Sequence, residues 1–516
     1  MPGSRGWPIA IPPRRNSCPI INHPSPNKKW WPWAILWSIA LATRLPAAFL
    51  LPNAEQDGYS YAETIARLSA NLGHLRLTDL YGFWLPLFQI AAAVVNRWID
   101  NPLLTGKILS SLGGAISCVL VFAITEKLTR SILLASAVFA LVVLNPLHIL
   151  YSAACMTDVP HVCLVLASLW FLLQERWIAA AILAAIAAGV RIESWSLIVL
   201  LPLLQFLRQR RVSPALLLIL LLPPLAWLLI SHFATGDAFS YFAERARYHA
   251  AYLDFYSTRH GFALADINRD ADYFLLGANR IVFLGLLSAS GVLVFQAIRQ
   301  RHRVSWPALF VVGYAIALLG FVLLAYVTKR QPVLLPRYAL VFFGLGLPLL
   351  AWLLQLLLEQ YKPVWLAKSA AVVVFAFCFW NAKSQLPIIS KVRDDFRAHR
   401  RIADAVTDAL QQSPDEHSRC FSDDVSVRVL SHLSPERFVR SAMVPSAAGK
   451  TVAGFESYLR ERHVACLVFM HVEDSLPPKL LPDLGQNTDI GIFQFVTAAA
   501  SSFGPDVALY RLRDNR

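Results

Sequence analysis

The chain has 516 residues, of which 47 are Lys or Arg, 33 are Asp or Glu, 56% are hydrophobic and only 16% are charged. A soluble domain carries roughly 25% charge, so a single water-soluble globule is excluded, and a chain this apolar is not disordered. The charge is also divided along the chain. Residues 382–516 hold 17 basic and 17 acidic residues, whereas residues 1–381 hold 30 and 16 and therefore the whole excess of +14. That excess sits in short clusters between apolar runs about 20 residues long, which is the pattern of a polytopic membrane protein and not of a nucleic-acid binder.

A Pro-rich cytoplasmic leader occupies 1–29. The first apolar stretch is too long and too Trp-rich for a signal peptide and reads as an uncleaved span. Apolar windows then predict about eleven transmembrane helices, at 30–51, 105–125, 131–150, 160–174, 177–190, 194–207, 213–232, 275–297, 305–327, 337–358 and 363–381. The stretch 83–99, interrupted by Pro86, reads as a helix lying at the membrane surface. With the N-terminus inside, the clusters Arg14–Arg15, Lys28–Lys29, Arg208–Arg211 and Arg299–Arg303 all fall in inner loops, as the positive-inside rule requires. An odd number of spans puts residues 382–516 outside. That tail alternates strand-like runs (419–422, 464–470, 491–496, 507–512) with helix-like ones (394–411, 452–462), a small soluble α/β domain with a partly parallel sheet. None of the seven cysteines has metal-ligand spacing. Cys420 and Cys466 in the tail read either as a disulfide or as two buried thiols.

Three outer segments carry polar chemistry: 52–104, the turn around Asp158, and 233–274. In the first, Asp57 lies just past a span with Tyr59 and Tyr61 following. It reads as a helix cap or as a partly desolvated general base. In the second, Asp158 and His161 stand at membrane depth, where ionisable residues mark function, although Thr157 or Asp158 also suits a cap. Arg191 and Glu193, two residues apart between short spans, read as a self-neutralising structural pair. Lys329, Arg330 and Arg337 put three cations in one late outer loop, against the charge bias, and point to an anionic partner.

In this order the motifs resemble the GT-C superfamily of polytopic glycosyltransferases that use polyprenyl-phosphate sugars, such as the protein O-mannosyltransferase-like and aminoarabinose transferase-like enzymes. The matching pieces, all within about residues 30–345, are Asp57-x-Tyr59-x-Tyr61, Leu85–Phe88, Thr157-Asp158-x-Pro160, Arg191-x-Glu193, Thr235–Asp237 and Pro336–Tyr338. The pattern departs from the family where Gly58 follows Asp57, where Glu55 and Asp57 are separated, and where the surface helix lacks a double proline.

The resemblance implies an inverting transfer to a glycan, lipid or protein acceptor outside the cytoplasm, in a bacterial inner membrane. Residues 30–381 would form the catalytic module. Asp57 would be the base and Asp158 its catalytic partner, orienting the acceptor or sharing a divalent metal with Asp57. Tyr59, Tyr61, His161, Lys329, Arg330 and Arg337 would bind substrate, the cations taking the lipid phosphate. The tail would modulate transfer or bind acceptor. A lipid or solute transporter is the alternative from another class, but the matched, repeated broken helices of transporters are absent from the sequence.

Overall fold

The computed structural model describes residues 31–248, 250, 264–299, 305–328, 334–360, 364–413, 415–470, 475–486, 488–500 and 506–513. The membrane module runs α1 (Trp31–Leu50), α2 (Gln56–Ala70), α3 (Leu87–Ile99), α4 (Pro102–Thr129), α5 (Ile132–Val143), α6 (Pro146–Ser152), α7 (Asp158–Leu173), α8 (Trp177–Val190), α9 (Leu197–Gln209), α10 (Pro214–Thr235), α11 (Leu264–Ala278), α12 (Arg280–Arg299), α13 (Trp306–Val327), α14 (Leu340–Gln360) and α15 (Val364–Lys383). Among the described residues, seven helices are long and apolar enough to cross a membrane, or eight if the bent pair α5–α6 counts as one span. The remaining apolar segments, α7, α8 and α9, are shorter than a bilayer crossing.

The run expected as one span over 131–150 is instead broken between α5 and α6 by a 61° bend. Pro146 supplies no N–H and so cannot continue α5, and the Asn145 side chain caps α6 by accepting from His148 N at 2.8 Å. The break leaves the last carbonyls of α5 without helical partners inside an apolar bundle. Arg44, fully buried in α1, takes them: its Nη2 donates to Val142 O at 2.9 Å and lies 3.0 Å from His148 Nδ1. Thus the negative end of a helix compensates a buried cation that has no carboxylate partner among the described residues. α4 packs at the centre against α1, α5 and α7. Its Gly114 is needed there, since a Cβ would lie 2.2 Å from Ser152 Oγ.

Beyond the bundle come α16 (Leu386–Gln411), β1 (Arg419–Ser422), α17 (Val425–Leu430), β2 (Phe438–Val439), α18 (Val452–Glu461), β3 (Val464–Met470), β4 (Phe493–Ala499) and β5 (Val507–Leu512). The sheet order is β2-β1-β3-β5-β4, parallel for the first three strands and antiparallel for the rest. Period-two alternation puts Cys420, Cys466, Val468 and Leu509 on the face covered by α16. Phe421, Leu467, Phe469 and Tyr510 form the other face, under α18.

Cys420 and Cys466 are register partners on β1 and β3 and are joined as a disulfide. The two cysteines are 46 residues apart, and closing a loop of that size stabilises by roughly 4 kcal/mol in the chain-entropy account. The double variant Cys420→Ala/Cys466→Ala should therefore unfold its tail at clearly lower denaturant than the oxidised wild type. Reductant should shift the wild type alone; a wild type indifferent to reductant would show the bridge to be unformed.

Candidate active site

The segment between α1 and α2 is fixed by Asn53. Its Nδ2 donates to Glu55 O at 2.6 Å and its Oδ1 accepts from Cys155 N at 2.8 Å, which ties the start of α2 to the turn before Asp158. Gly58 makes this approach feasible, because a Cβ there would lie 2.0 Å from Asn53 Nδ2. The glycine that departs from the family pattern thus has a packing cause.

Two carboxylates bracket the start of α2, and both converge on one cation. Arg337 Nη2 donates to Asp57 Oδ2 at 2.7 Å, and Nη1 lies 2.7 Å from Glu55 Oε2. The Tyr151 hydroxyl donates to Glu55 Oε1 at 2.7 Å. Asp57 therefore spends its side chain on Arg337 and not on capping α2, where the N-cap residue is Glu55 without a side-chain cap bond.

A second cluster adjoins the first. Asp158 opens α7, and its Oδ1 lies 2.5 Å from Arg191 Nη1. Arg191 in turn grips Glu193 with Nη2 at 2.6 Å and Nε at 3.2 Å. The two arginines meet over Tyr338, whose ring centroid is 5.2 Å from each guanidinium carbon. A small cavity between them is lined by Asp158, His161, Arg191, Glu193, Arg337 and Tyr338, closed on the bundle side by Leu318, Val322 and Val341. Two polar atoms of this lining are buried without a partner among the described residues: the donor Arg337 Nε and the acceptor Asp158 Oδ2. Their side chains are 7% and 2% exposed. Buried polar groups are normally satisfied, so this pair points to a ligand that both donates and accepts.

The residues proposed from sequence divide accordingly. Asp57, Asp158, His161 and Arg337 come together, His161 Nε2 standing 2.7 Å from Ser194 Oγ. Tyr61 forms a wall: its hydroxyl is 3.1 Å from Thr157 Oγ1 and its ring packs 5.1 Å from Trp84. Tyr59 does not join them. It is 5% exposed and lies in the core of the tail domain with Ile402, Cys420 and Met470, because on a helix it points away from the face that carries Tyr61. Lys329 and Arg330 lie outside the described residues. The Arg191–Glu193 pair, expected to be structural with cavity lining as the alternative, lines the cavity. Sequence reasoning gave no site role to Glu55, Tyr151 or Tyr338; the signal for Glu55 was a second acid two residues before Asp57.

The donor set does not fit a divalent metal. Asp57 and Asp158 are engaged by different arginines, and among the described residues no group of three or more His, Cys, Asp or Glu side chains is arranged to hold a metal ion. Burial raises the Glu55 carboxyl to about 7 against the pull of Arg337, with Asp57 adding to the rise.

No protein-family model matches the chain, and no curated protein matches it by sequence. Solved structures do match in fold. ArnT from Cupriavidus metallidurans bound to undecaprenyl phosphate has a TM-score of 0.55 at 12% identity, covering 93% of this chain and 98% of that one. The apo oligosaccharyltransferase of Archaeoglobus fulgidus has a TM-score of 0.52 at 11% identity, covering 86% and 70%. The archaeal enzyme AglB from the same organism, in complex with an inhibitory peptide and a dolichol-phosphate, gives 0.52 at 11% identity, covering 92% and 73%. The chain shares its fold with ArnT and with the archaeal oligosaccharyltransferase.

Glu55 offers a test of the electrostatics. A carboxyl whose native pKa exceeds its unfolded value stabilises the fold below the unfolded value, and that contribution fades as pH rises through the native one. The window here runs from 4.5 to about 7. Across it, the wild-type melting temperature should fall relative to Glu55→Gln and then level off. A gap independent of pH would put Glu55 back in the ordinary carboxylate range.

Proposed function

We propose that this chain, built on the GT-C fold, transfers a sugar from a polyprenyl-phosphate donor to an acceptor on the outer side of the membrane, with inversion at the anomeric carbon. The observation that carries the reading is a cavity lined both by Arg337, whose guanidinium two carboxylates share and whose Nε has no partner among the described residues, and by Asp158, whose Oδ2 has none either. Fold neighbours whose solved complexes hold undecaprenyl phosphate or dolichol-phosphate support a lipid-phosphate ligand. The basic clusters support an orientation with the N-terminus in the cytoplasm and the tail outside.

The chemistry follows from the charges. Asp57 takes the proton from the acceptor hydroxyl or amine as its oxygen or nitrogen attacks the anomeric carbon. The bond from that carbon to the phosphate oxygen breaks, and the lipid phosphate leaves with the electron pair. Arg337 faces the growing charge, preorganised in a site that excludes most water. Asp158, held by Arg191, accepts from the acceptor through its free oxygen. The acceptor is a glycan, a lipid or a protein.

The experiment is to incubate purified protein with polyprenyl-phosphate sugars and an acceptor mixture and to quantify the freed lipid phosphate. Asp57→Asn preserves size and cannot take the proton, so transfer should fall by about 10²–10⁴-fold in protein that still folds. Wild-type transfer in Asp57→Asn would remove Asp57 from the chemistry.

A further inference from the structure

The helix that carries Asp57 in its first turn is held from two sides. Tyr61, Ala62, Ile65 and Leu68 of α2 pack on Phe88, Ala92 and Ala93 of the membrane module. Gln56, Tyr59 and Glu63, spaced three and four residues apart, lie along another stripe of the same helix and all three meet the C-terminal domain. Glu63 is gripped in a fork by Arg428, with Nε at 2.7 Å and Nη2 at 3.0 Å. Arg428 is itself pinned, since its Nη1 donates to Ser422 O at the end of β1. The Tyr59 ring sits among Ile402, Cys420, Val427 and Met470. Gln56 Nε2 lies 3.3 Å from His399 Nε2 on α16, whose Nδ1 is fixed 2.9 Å from Asp395 O.

These contacts form a rigid chain. Asp424 ends the turn after β1 and caps α17, accepting from Ser426 N at 2.7 Å, while its other oxygen lies 3.3 Å from His399 Nε2. One residue of α17 then reaches Glu63. The fork is geometrically specific, because two parallel N–H to oxygen contacts fix orientation as well as distance.

We propose that Glu63 and Arg428 are positioning residues: the C-terminal domain sets the rotation of α2 about its axis and thereby the placement of Asp57 against Arg337. The proposal rests on the transferase reading of the site. Side-chain atoms stand about 5 Å from a helix axis, so a rotation of roughly 20° would carry the Asp57 carboxylate almost 2 Å. A misplacement of about 1 Å can cost on the order of 10²-fold in rate.

The test uses the full chain in lipid nanodiscs, with Glu63→Arg, Arg428→Glu and the double charge swap. Each single variant should lose about 10²-fold in kcat with the donor KM within a factor of about three, and the swap should recover most of that loss. Hydrogen exchange over residues 56–70 should accelerate about tenfold or more in each single variant and return in the swap. Exchange that stays at the wild-type rate in both single variants overturns the proposal whatever the activity shows. So does a kcat loss that the swap fails to recover once exchange has recovered. A wild type without transfer, whose α2 exchange still follows the charge pattern, would refute the transferase reading and leave the coupling of α2 to the tail standing.

Discussion

Arg337 is the constraint on which the site depends. It reaches Asp57 across 280 residues of sequence and holds Glu55 with its other terminal nitrogen. A buried guanidinium without counter-charge costs several kcal/mol, so the late loop and the first outer segment are fixed relative to each other wherever the chain is folded. Because Arg337 and Arg191 both stack on the Tyr338 ring and Arg191 holds Asp158, the same constraint reaches Asp158. The four site carboxylates have only these two arginines as cationic partners among the described residues. Burial pushes the Glu55 carboxyl up, whereas the Arg191 guanidinium holds Glu193 down against its own burial.

The bundle applies the same rule away from the site. Arg44 is not at the cavity, yet it compensates the carbonyls exposed by the α5–α6 break, and the turn after α6 delivers Asp158 to the cavity. The bend and the turn that carries Asp158 are thus linked by a cation that lies away from the cavity lining. The tail completes the scheme from the other side, since its helices α16 and α17 carry His399 and Arg428, which meet Gln56 and Glu63 of α2.

The architecture was largely legible because hydrophobic periodicity is a local property. Strands at 419–422, 464–470 and 507–512 fall where alternation of apolar residues puts them. Local hydropathy cannot report where a helix bends, so the run 131–150 reads as one span although Asn145-Pro146 divides it. The site was half legible. Asp57, Asp158 and Arg337 stand out as charges at apolar boundaries, a signal that one residue carries alone. Partnership needs three-dimensional proximity: Glu55 looks like a solvated acid until Tyr151 and Arg337 are beside it, and Tyr59 looks like a headgroup aromatic until the tail closes over it.

The central claim is that the Arg337 guanidinium is the counter-charge for a lipid phosphate. The most direct measurement is the affinity of the full chain in nanodiscs for polyprenyl phosphate without sugar, compared with that of Arg337→Gln, which can still hydrogen-bond Glu55 and Asp57. A hydrogen bond to a charged group is worth about 1.5–3 kcal/mol, so the dissociation constant should rise by roughly tenfold or more in the variant. Affinities that agree within a factor of about two in wild type and Arg337→Gln would contradict the account.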